Sequence, residues 1–270
     1  MPSILQVEGG HPLHGEITVR GAKNFVPKAM VASLLADTPS ELYNVPLIRD
    51  TDVVSNLLSL HGVEIDFDQD RGTLRMDTSN VKIASRSDID TLAGASRIPI
   101  LFCGPLLHQL GEAFIPELGG CAIGGRPIDF HLDTLRKFGA IIDKQPDGVH
   151  IKRPSTGLHG AIIELPFPSV GATEQTLLTA VRNEGITTLK GAAIEPEILD
   201  LINVLQKMGA IISVDTDRTI RIEGVAKLTG YRHTALPDRI EAASWAAAAL
   251  ATHGDIYVRG AHQPDMTTFL

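Results

Sequence analysis

The chain has 270 residues, of which 43% are hydrophobic and 21% charged, so it can bury a substantial core and is not disordered. Its formal charge of −8 argues against a general surface for nucleic acid or membrane. Two cysteines are too few for a disulfide framework, and no apolar stretch approaches the roughly 20 residues of a membrane span. Because the N-terminus also lacks a signal-peptide pattern, we expect a cytoplasmic protein.

A repeated pattern organises the chain. Each unit starts with a short β-rich segment and a first helix, continues with a strand and a second helix, and ends at a glycine followed by a β-branched strand. The closing glycines are Gly62, Gly139 and Gly209. This alternation predicts an α/β fold built from repeated units.

A fourth unit begins at residues 236–245 (LPDRIEAASW) and continues with a strand at residues 255–259 (DIYVR). Its second helix is expected to start at residues 263–265 (QPD). The chain stops at Leu270, only one or two turns later, and before any closing glycine. The pattern therefore predicts a fragment or an incomplete gene.

The first helix of each unit follows a junction of small and polar residues. These junctions are residues 21–24 (GAKN), 94–97 (GASR), 169–173 (SVGAT) and 237–239 (PDR). The helices behind them are apolar enough to be largely buried. If pseudo-symmetric packing brings their N-termini together, free N–H groups with Lys23, Arg97 and Arg239 would form a cleft for phosphate or carboxylate. The alternative is that each junction is only a helix cap beside a solvated base.

Residues 118–129 (LGGCAIGGRPID) form a glycine-rich loop around Cys121. Arg126 can favour the thiolate, although an inert loop cysteine is an equally good interpretation of the residues alone. The segment lacks the Gly-Lys-Ser/Thr of a phosphate-binding P-loop and the second ligand of a zinc site. By contrast, Cys103 lies in an apolar run and is expected to be buried. We expect His108, His131 and His262 to be surface or cap residues rather than metal ligands.

Together with residues 195–198 (EPEI), these motifs occur in the same order in UDP-N-acetylglucosamine 1-carboxyvinyltransferases, which the chain resembles along essentially its whole length. The resemblance implies an inside-out α/β barrel of βαβαββ-type units, the EPSP synthase-like fold. Residues 22–236 would form the first domain. Residues 1–21 and 237–270 would belong to a second domain, which would be incomplete.

The implied reaction joins phosphoenolpyruvate to the 3-hydroxyl of UDP-N-acetylglucosamine and releases phosphate, without metal or cofactor. This is the first committed step of peptidoglycan synthesis. The resemblance assigns catalysis to Cys121, which is also the fosfomycin target, with Lys23 and Arg126. It assigns substrate binding to Lys23, Asn24, Arg97, Arg126, Pro127, Ile128, Asp129, Phe130, Ser169 and Val170. Supporting positions would be Asp50, Glu195, Asp238 and Arg239.

Two departures from the family pattern qualify these expectations. Residues 167–168 (FP) stand where many members carry Lys-Val, so a side-chain contact to the nucleotide can be lost. The family's general-base aspartate and its remaining phosphoenolpyruvate-binding arginines would lie beyond residue 270, so we expect the chain alone to be inactive. The alternatives are a 3-phosphoshikimate 1-carboxyvinyltransferase and, if the chain naturally ends at 270, a non-catalytic module that binds the UDP-sugar.

Overall fold

The computed structural model describes residues 4–93, 96–116, 118 and 127–270. In that part of the chain the helices are α1 (Val26–Ala32), α2 (Arg49–Leu60), α3 (Arg86–Ala93), α4 (Cys103–Gln109), α5 (Asp129–Lys137), α6 (Val170–Ala180), α7 (Pro196–Lys207) and α8 (Arg239–Ala251). The strands are β1 (His14–Thr18), β2 (Ser40–Tyr43), β3 (Glu64–Asp68), β4 (Thr73–Asp77), β5 (Glu112–Ile115), β6 (Ile141–Gln145), β7 (Gly148–Lys152), β8 (Ile162–Glu164), β9 (Ile186–Lys190), β10 (Ile211–Val214), β11 (Ile220–Glu223), β12 (Arg232–Thr234) and β13 (Asp255–Arg259). Short 3₁₀ helices lie at Ser33–Leu35, Ile98–Phe102 and Gln263–Met266.

Three units repeat the same arrangement of one strand, one helix and one hairpin. The elements are β2, α2, β3 and β4 in the first unit, β5, α5, β6 and β7 in the second, and β9, α7, β10 and β11 in the third. In every unit the strand before the helix pairs antiparallel with the last strand of the hairpin. A further strand is added in parallel to two of the sheets, β12 beside β2 and β8 beside β9. The predicted repeat is therefore confirmed.

The closing glycines end the second helix of each unit in the same way. Gly62, Gly139 and Gly209 have φ angles of 84°, 93° and 107°, in the left-handed region that glycine tolerates best. Each glycine N–H donates to the carbonyl three residues before it, and the next N–H donates to the carbonyl five residues before its own position. This is the Schellman arrangement, which satisfies the last carbonyls of a helix and turns the chain into the following strand.

The first helices of the units form the centre of the molecule. All seven residues of α1 and nine of the eleven residues of α6 are buried, and α4 packs directly against α6. The apolar residues of the three units make one continuous core. The predicted burial of the first helices is confirmed for α1, α4 and α6, and it brings their N-termini toward one region. For α8, the first helix of the fourth unit, the prediction is wrong, because Ala242 is its only buried residue.

α6 is buried although it carries many polar side chains. The hydroxyls of Thr173, Thr176 and Thr179 donate to the carbonyls of the residues four positions before them, at 2.7–2.8 Å. These local hydrogen bonds remove most of the cost of burying a hydroxyl, so the helix needs no solvent-exposed polar face.

The elements that flank the three units contact one another. β1 pairs in parallel with β13, and α8 packs against β13. A small separate cluster of Val19, Ala242 and Met266 lies between these elements. The side chains of Ile240 and Leu250 on α8 remain exposed. The division into two domains at residues 22 and 236 stays a prediction. Within the described ranges, no helix is long and apolar enough to cross a membrane.

Candidate functional site

The predicted helix starts meet at a cavity of about 360 Å³. Five of the predicted site residues line it: Asn24 before α1, Arg97 before the second 3₁₀ helix, Val170 at the start of α6, Glu195 before α7 and Arg239 at the start of α8. These residues come from all four units of the sequence repeat. The structure therefore confirms that the helix starts converge, as the repeat predicts. The function of the cavity stays a prediction.

Lys23 lies beside this cavity and is held by two acidic residues. Its ammonium is 3.1 Å from Oδ2 of Asp50, whose Oδ1 accepts a hydrogen bond from the Ser96 hydroxyl at 3.2 Å. The backbone N–H of Lys23 donates to Oδ2 of Asp238 at 2.9 Å. The Lys23 side chain remains 62% exposed, so its charge is accessible to an anion. Asp50 thus pairs with the ammonium of Lys23, and Asp238 anchors its backbone.

Arg97 connects this cavity to a second one of about 450 Å³. The second cavity is lined by Arg97 together with Pro127 and Ile128, which precede α5. Asp129 is the first residue of α5, where its carboxylate favours the positive end of the helix dipole. The two cavities together can accept a ligand longer than either alone.

Phe130 and Phe167 form an aromatic contact near the start of α6. Their ring centroids are 5.3 Å apart and the rings are nearly perpendicular, an arrangement that aromatic pairs favour. Ser169 caps α6, because its hydroxyl accepts a hydrogen bond from the N–H of Ala172 at 3.3 Å. Phe167 therefore places a half-exposed aromatic ring beside the start of α6.

Arg239 pairs with a residue that the sequence did not single out. Its Nε and Nη2 donate to Oε1 and Oε2 of Glu197 at 3.0 and 3.3 Å, and the Glu197 side chain is buried. Neighbouring Glu195 has a buried Oε2 with no hydrogen-bond partner in the described part of the protein. At the start of α7, the carboxylate of Glu197 is therefore neutralised by Arg239, whereas Oε2 of Glu195 lacks a hydrogen bond among the described residues.

Lys28, Glu174 and His131, none of which the sequence analysis proposed as a site residue, also line this cavity. Burial raises the pKa of Glu174 to about 7 against the lowering effect of Lys28, and Glu195 and Glu197 raise it further. His131 in α5 and His108 in α4 are half-buried, and burial lowers the pKa of each to about 4, so neither is a fully exposed histidine, whereas His262 caps the last 3₁₀ helix as expected. A lysine within the apolar run of α1 was the available signal, since a buried charge requires a partner.

The two cysteines differ in what can be described. Cys121 and Arg126 lie outside the described residues, so their predicted roles stay predictions. Cys103 begins α4 and is fully buried, and this burial strongly raises the pKa of its thiol. The expectation of a buried Cys103 is confirmed. Among the described residues there is no group of three or more histidine, cysteine or acidic side chains that could hold a metal ion.

Known proteins resemble this chain along most of its length. The sequence profile of the family described as EPSP synthase (3-phosphoshikimate 1-carboxyvinyltransferase) matches residues 7–269. The UDP-N-acetylglucosamine 1-carboxyvinyltransferase of Protochlamydia amoebophila (strain UWE25) is 44% identical over 271 residues, which is 99% of this chain and 58% of that protein. The protein of the same name from Acidiphilium cryptum (strain JF-5) is 45% identical over 97% of this chain and 62% of its own length. The chain thus spans less than two thirds of these relatives.

Solved structures share the fold. The enolpyruvyl transferase NikO from Streptomyces tendae superposes with a TM-score of 0.76 at 23% identity, over 88% of this chain and 55% of that one. An EPSP synthase from Acinetobacter baumannii gives a TM-score of 0.65 at 19% identity, over 87% of this chain and 52% of the other. The α/β, EPSP synthase-like fold expected from the motifs is confirmed. With a family profile that matches nearly every residue and with this shared architecture, the chain belongs to the EPSP synthase family.

Proposed function

We propose that the protein transfers the enolpyruvyl group of phosphoenolpyruvate to the 3-hydroxyl of UDP-N-acetylglucosamine and releases phosphate. The observation that carries this proposal is the meeting of Asn24, Arg97 and Val170 at one cavity, beside the ammonium of Lys23. The curated relatives named as UDP-N-acetylglucosamine 1-carboxyvinyltransferases, 39–45% identical, support this acceptor over shikimate 3-phosphate.

The chemistry requires an acid and fixed positive charge. Cys121 gives a proton to the methylene carbon of phosphoenolpyruvate. The sugar hydroxyl then bonds to the neighbouring carbon and gives up its own proton to the family's general-base aspartate, which forms a tetrahedral ketal. Loss of a proton from the new methyl group and departure of phosphate then leave the enolpyruvyl ether. Lys23, Arg97 and Arg126 stabilise the phosphate and carboxylate charges during both steps.

The nucleotide is proposed to occupy the cavity at the start of α5 and α6. Pro127 and Ile128 line this cavity, and Asp129, Phe130, Ser169 and Val170 lie at the adjoining helix starts. The free N–H groups at the start of α6, an eleven-residue helix, suit a diphosphate. Glu195 and Arg239 border the reacting end of the cleft.

Residues 22–236 are proposed to form one domain, and residues 1–21 with 237–270 part of a second. The separate cluster of Val19, Ala242 and Met266 and the pairing of β1 with β13 support this division. We also propose that the protein acts in the cytoplasm, at the first committed step of peptidoglycan synthesis, and thereby serves cell-wall growth, cell shape and division.

Phosphate release from phosphoenolpyruvate by the full-length protein tests the reaction, with UDP-N-acetylglucosamine and shikimate 3-phosphate offered in separate assays. We expect release with UDP-N-acetylglucosamine alone. Release with shikimate 3-phosphate alone would assign the protein to the other activity. Calorimetric titration with UDP-N-acetylglucosamine accompanies the assay, because binding without release in the presence of phosphoenolpyruvate would identify a module that holds the sugar nucleotide without turnover.

A further inference from the structure

A buried ion pair joins α1 to α6 at the floor of the cavity. Nζ of Lys28 lies 3.5 Å from Oε1 of Glu174, and the two side chains are only 9% and 5% exposed. Removing two charges from water is costly, so a pair in this position requires a compensating contribution from its surroundings. A hydrogen bond from Lys28 to the neighbouring backbone supplies part of that contribution.

The ammonium of Lys28 also holds the backbone of the segment that precedes α1. Nζ donates to the carbonyl oxygen of Asn24 at 2.8 Å. In a regular helix this carbonyl would accept from the backbone N–H of Lys28, but that N–H donates to Phe25 instead, at 2.9 Å. The lysine side chain therefore replaces a backbone hydrogen bond at the point where the chain turns from the Lys23–Asn24 segment into the helix.

Glu174 is attached to the other side of the cavity. It lies in the second turn of α6, four residues after Val170, in a helix that Ser169 caps. Its connection through Lys28 thus runs from the start of α6 to the carbonyl of Asn24. No flexible loop intervenes between Glu174 and Val170, or between Lys28 and the turn at Phe25.

Glu174 is surrounded by both cationic and anionic side chains. The titratable and charged groups that face it around the cavity are Lys28 on α1, Arg97 before the second 3₁₀ helix, His131 on α5, Glu195 and Glu197 at the start of α7, and Arg239 on α8. His131 and, on α4, His108 both have a pKa of about 4 through burial, so they stay neutral between pH 6 and 8. Glu174, with a pKa of about 7, changes its charge in that interval.

We propose that the buried pair of Lys28 and Glu174 fixes the Lys23–Asn24 segment against the start of α6 at the separation that a sugar nucleotide requires. Lys28 and Glu174 are positioning residues, since they act through Asn24 and through α6. This inference rests on the proposed function, because the ligand it names is UDP-N-acetylglucosamine.

The pair makes ligand affinity dependent on pH. Above pH 7 Glu174 is ionised and attracts Lys28, whereas below it the neutral carboxyl no longer holds the ammonium. The diphosphate of UDP-N-acetylglucosamine keeps its charge over this range, so a change in its affinity reports on the protein. We expect affinity about fivefold higher at pH 8 than at pH 6, a size typical of coupling between sites.

The test combines nuclear magnetic resonance with calorimetry on the full chain between pH 6 and 8. The amide signals of Lys23 and Asn24 should shift with a midpoint near pH 7 in the wild type. Glu174→Gln and Lys28→Met should abolish that shift and weaken UDP-N-acetylglucosamine binding at pH 8 about fivefold or more. The matched control is Glu112→Gln on β5, outside this cavity, which should behave as the wild type.

The results of these measurements separate the positioning role of the pair from the proposed function. An unchanged amide titration in Glu174→Gln, or variants that lose stability while keeping affinity and its pH dependence, would overturn the positioning role. Absence of UDP-N-acetylglucosamine binding in the wild type would overturn the proposed function, while the amide titration would still decide whether the pair holds the segment. If the single variants do not fold, Lys28→Met with Glu174→Leu replaces the pair by apolar groups, and this double variant should lose the same titration.

Discussion

Arg239 holds Glu197 through two parallel hydrogen bonds of 3.0 and 3.3 Å, so the first residue of α8 is clamped to the first turn of α7. The carboxylate is 5% exposed and the guanidinium 28%. Because both carboxylate oxygens are used, the contact fixes a direction as well as a distance. It links the three-unit core to the elements that follow residue 236.

The first prediction follows from this geometry. Arg239→Ala should lower the free energy of unfolding by about 2–3 kcal/mol, because Glu197 is left charged, buried and unpaired. Arg239→Lys should recover less than half of this loss, since an ammonium cannot make the two parallel bonds. Urea unfolding measures both. The control is Arg232→Ala, which removes an exposed pair with Glu41 and should cost less than about 1 kcal/mol. Equal losses at the two arginines would contradict the assignment.

The second prediction separates two functions of Asp238. Its Oδ1 accepts from the N–H groups of Ile240 and Glu241 and caps α8, while Oδ2 accepts from the N–H of Lys23. Asp238→Asn can keep the cap but must turn an NH₂ group toward the N–H of Lys23. Asp238→Ala loses both. We expect Asp238→Ala to cost about 1–2 kcal/mol, as lost caps do. Asp238→Asn should cost less, yet it should speed hydrogen exchange at Lys23. An unchanged exchange rate in Asp238→Asn would argue against the link.

The third prediction concerns the stability of the fold as a function of pH. The folded-state pKa of Glu174, about 7, lies above its ordinary value of 4.5, so the folded protein binds the proton more tightly than the unfolded chain does. The stability from this group is complete below pH 4.5 and is lost as pH rises through 7. The loss is on the order of 3 kcal/mol.

Comparing the unfolding free energies of the wild type and Glu174→Gln isolates the pH dependence that Glu174 contributes. His108 and His131 have lowered pKa values of about 4 and contribute in the opposite direction, because their stability grows as pH rises from 4 to 6.5. The difference between the two unfolding curves, rather than either curve alone, should therefore fall between pH 4.5 and 7. A difference that is constant across this range would mean that Glu174 does not titrate in the folded protein.

Local signals explain why so much of the fold was predictable. The left-handed glycines at 62, 139 and 209, the cap at Ser169 and the cap at Asp238 each act within a few residues of their own positions. Such features are visible in a sequence because the backbone bonds that they satisfy are nearby. Their recurrence also indicated that the helix starts are equivalent and would meet.

The remaining features depend on contacts between distant segments. Lys28 and Glu174 are 146 residues apart and become partners only when α1 and α6 pack side by side. The buried threonines of α6 and the additional helix α3 also depart from the simple apolar pattern, because their places in the fold depend on packing against distant segments. A sequence shows that a lysine lies in an apolar run, but tertiary packing decides which carboxylate neutralises it.

The fourth prediction uses the contrast between the cysteines. Fosfomycin should alkylate Cys121 and spare Cys103, because Cys103 is fully buried and burial raises the pKa of its thiol, which disfavours the reactive thiolate. Labelling should increase when UDP-N-acetylglucosamine is present. Peptide mapping by mass spectrometry identifies the modified residue, and Cys121→Ser is the control that should take up no label. Label found at Cys103 in the folded protein would count against the proposed chemistry.

The fifth prediction concerns the contact between α4 and α6, on which the core depends. A Cβ at Gly104 would lie 2.2 Å from Oγ1 and 3.0 Å from Cβ of Thr179, so alanine cannot be accommodated without moving one helix. Alanine normally stabilises a helix by about 1 kcal/mol relative to glycine. Here we expect Gly104→Ala to lower the free energy of unfolding by about 1–3 kcal/mol, the usual cost of overpacking.

The partner substitution tests the cause of that loss. Thr179→Ala removes Oγ1, and it also removes the hydrogen bond to the carbonyl of Gln175, so by itself it should be destabilising. Combined with Gly104→Ala it should cost less than the sum of the two single changes, because the clash is relieved. Gly9→Ala, at a position with open space, should change stability by less than about 0.5 kcal/mol. If the free-energy changes of Gly104→Ala and Thr179→Ala simply add, the two residues do not clash and the helices can move apart. Close packing of α4 on α6 would then not hold the helix starts together.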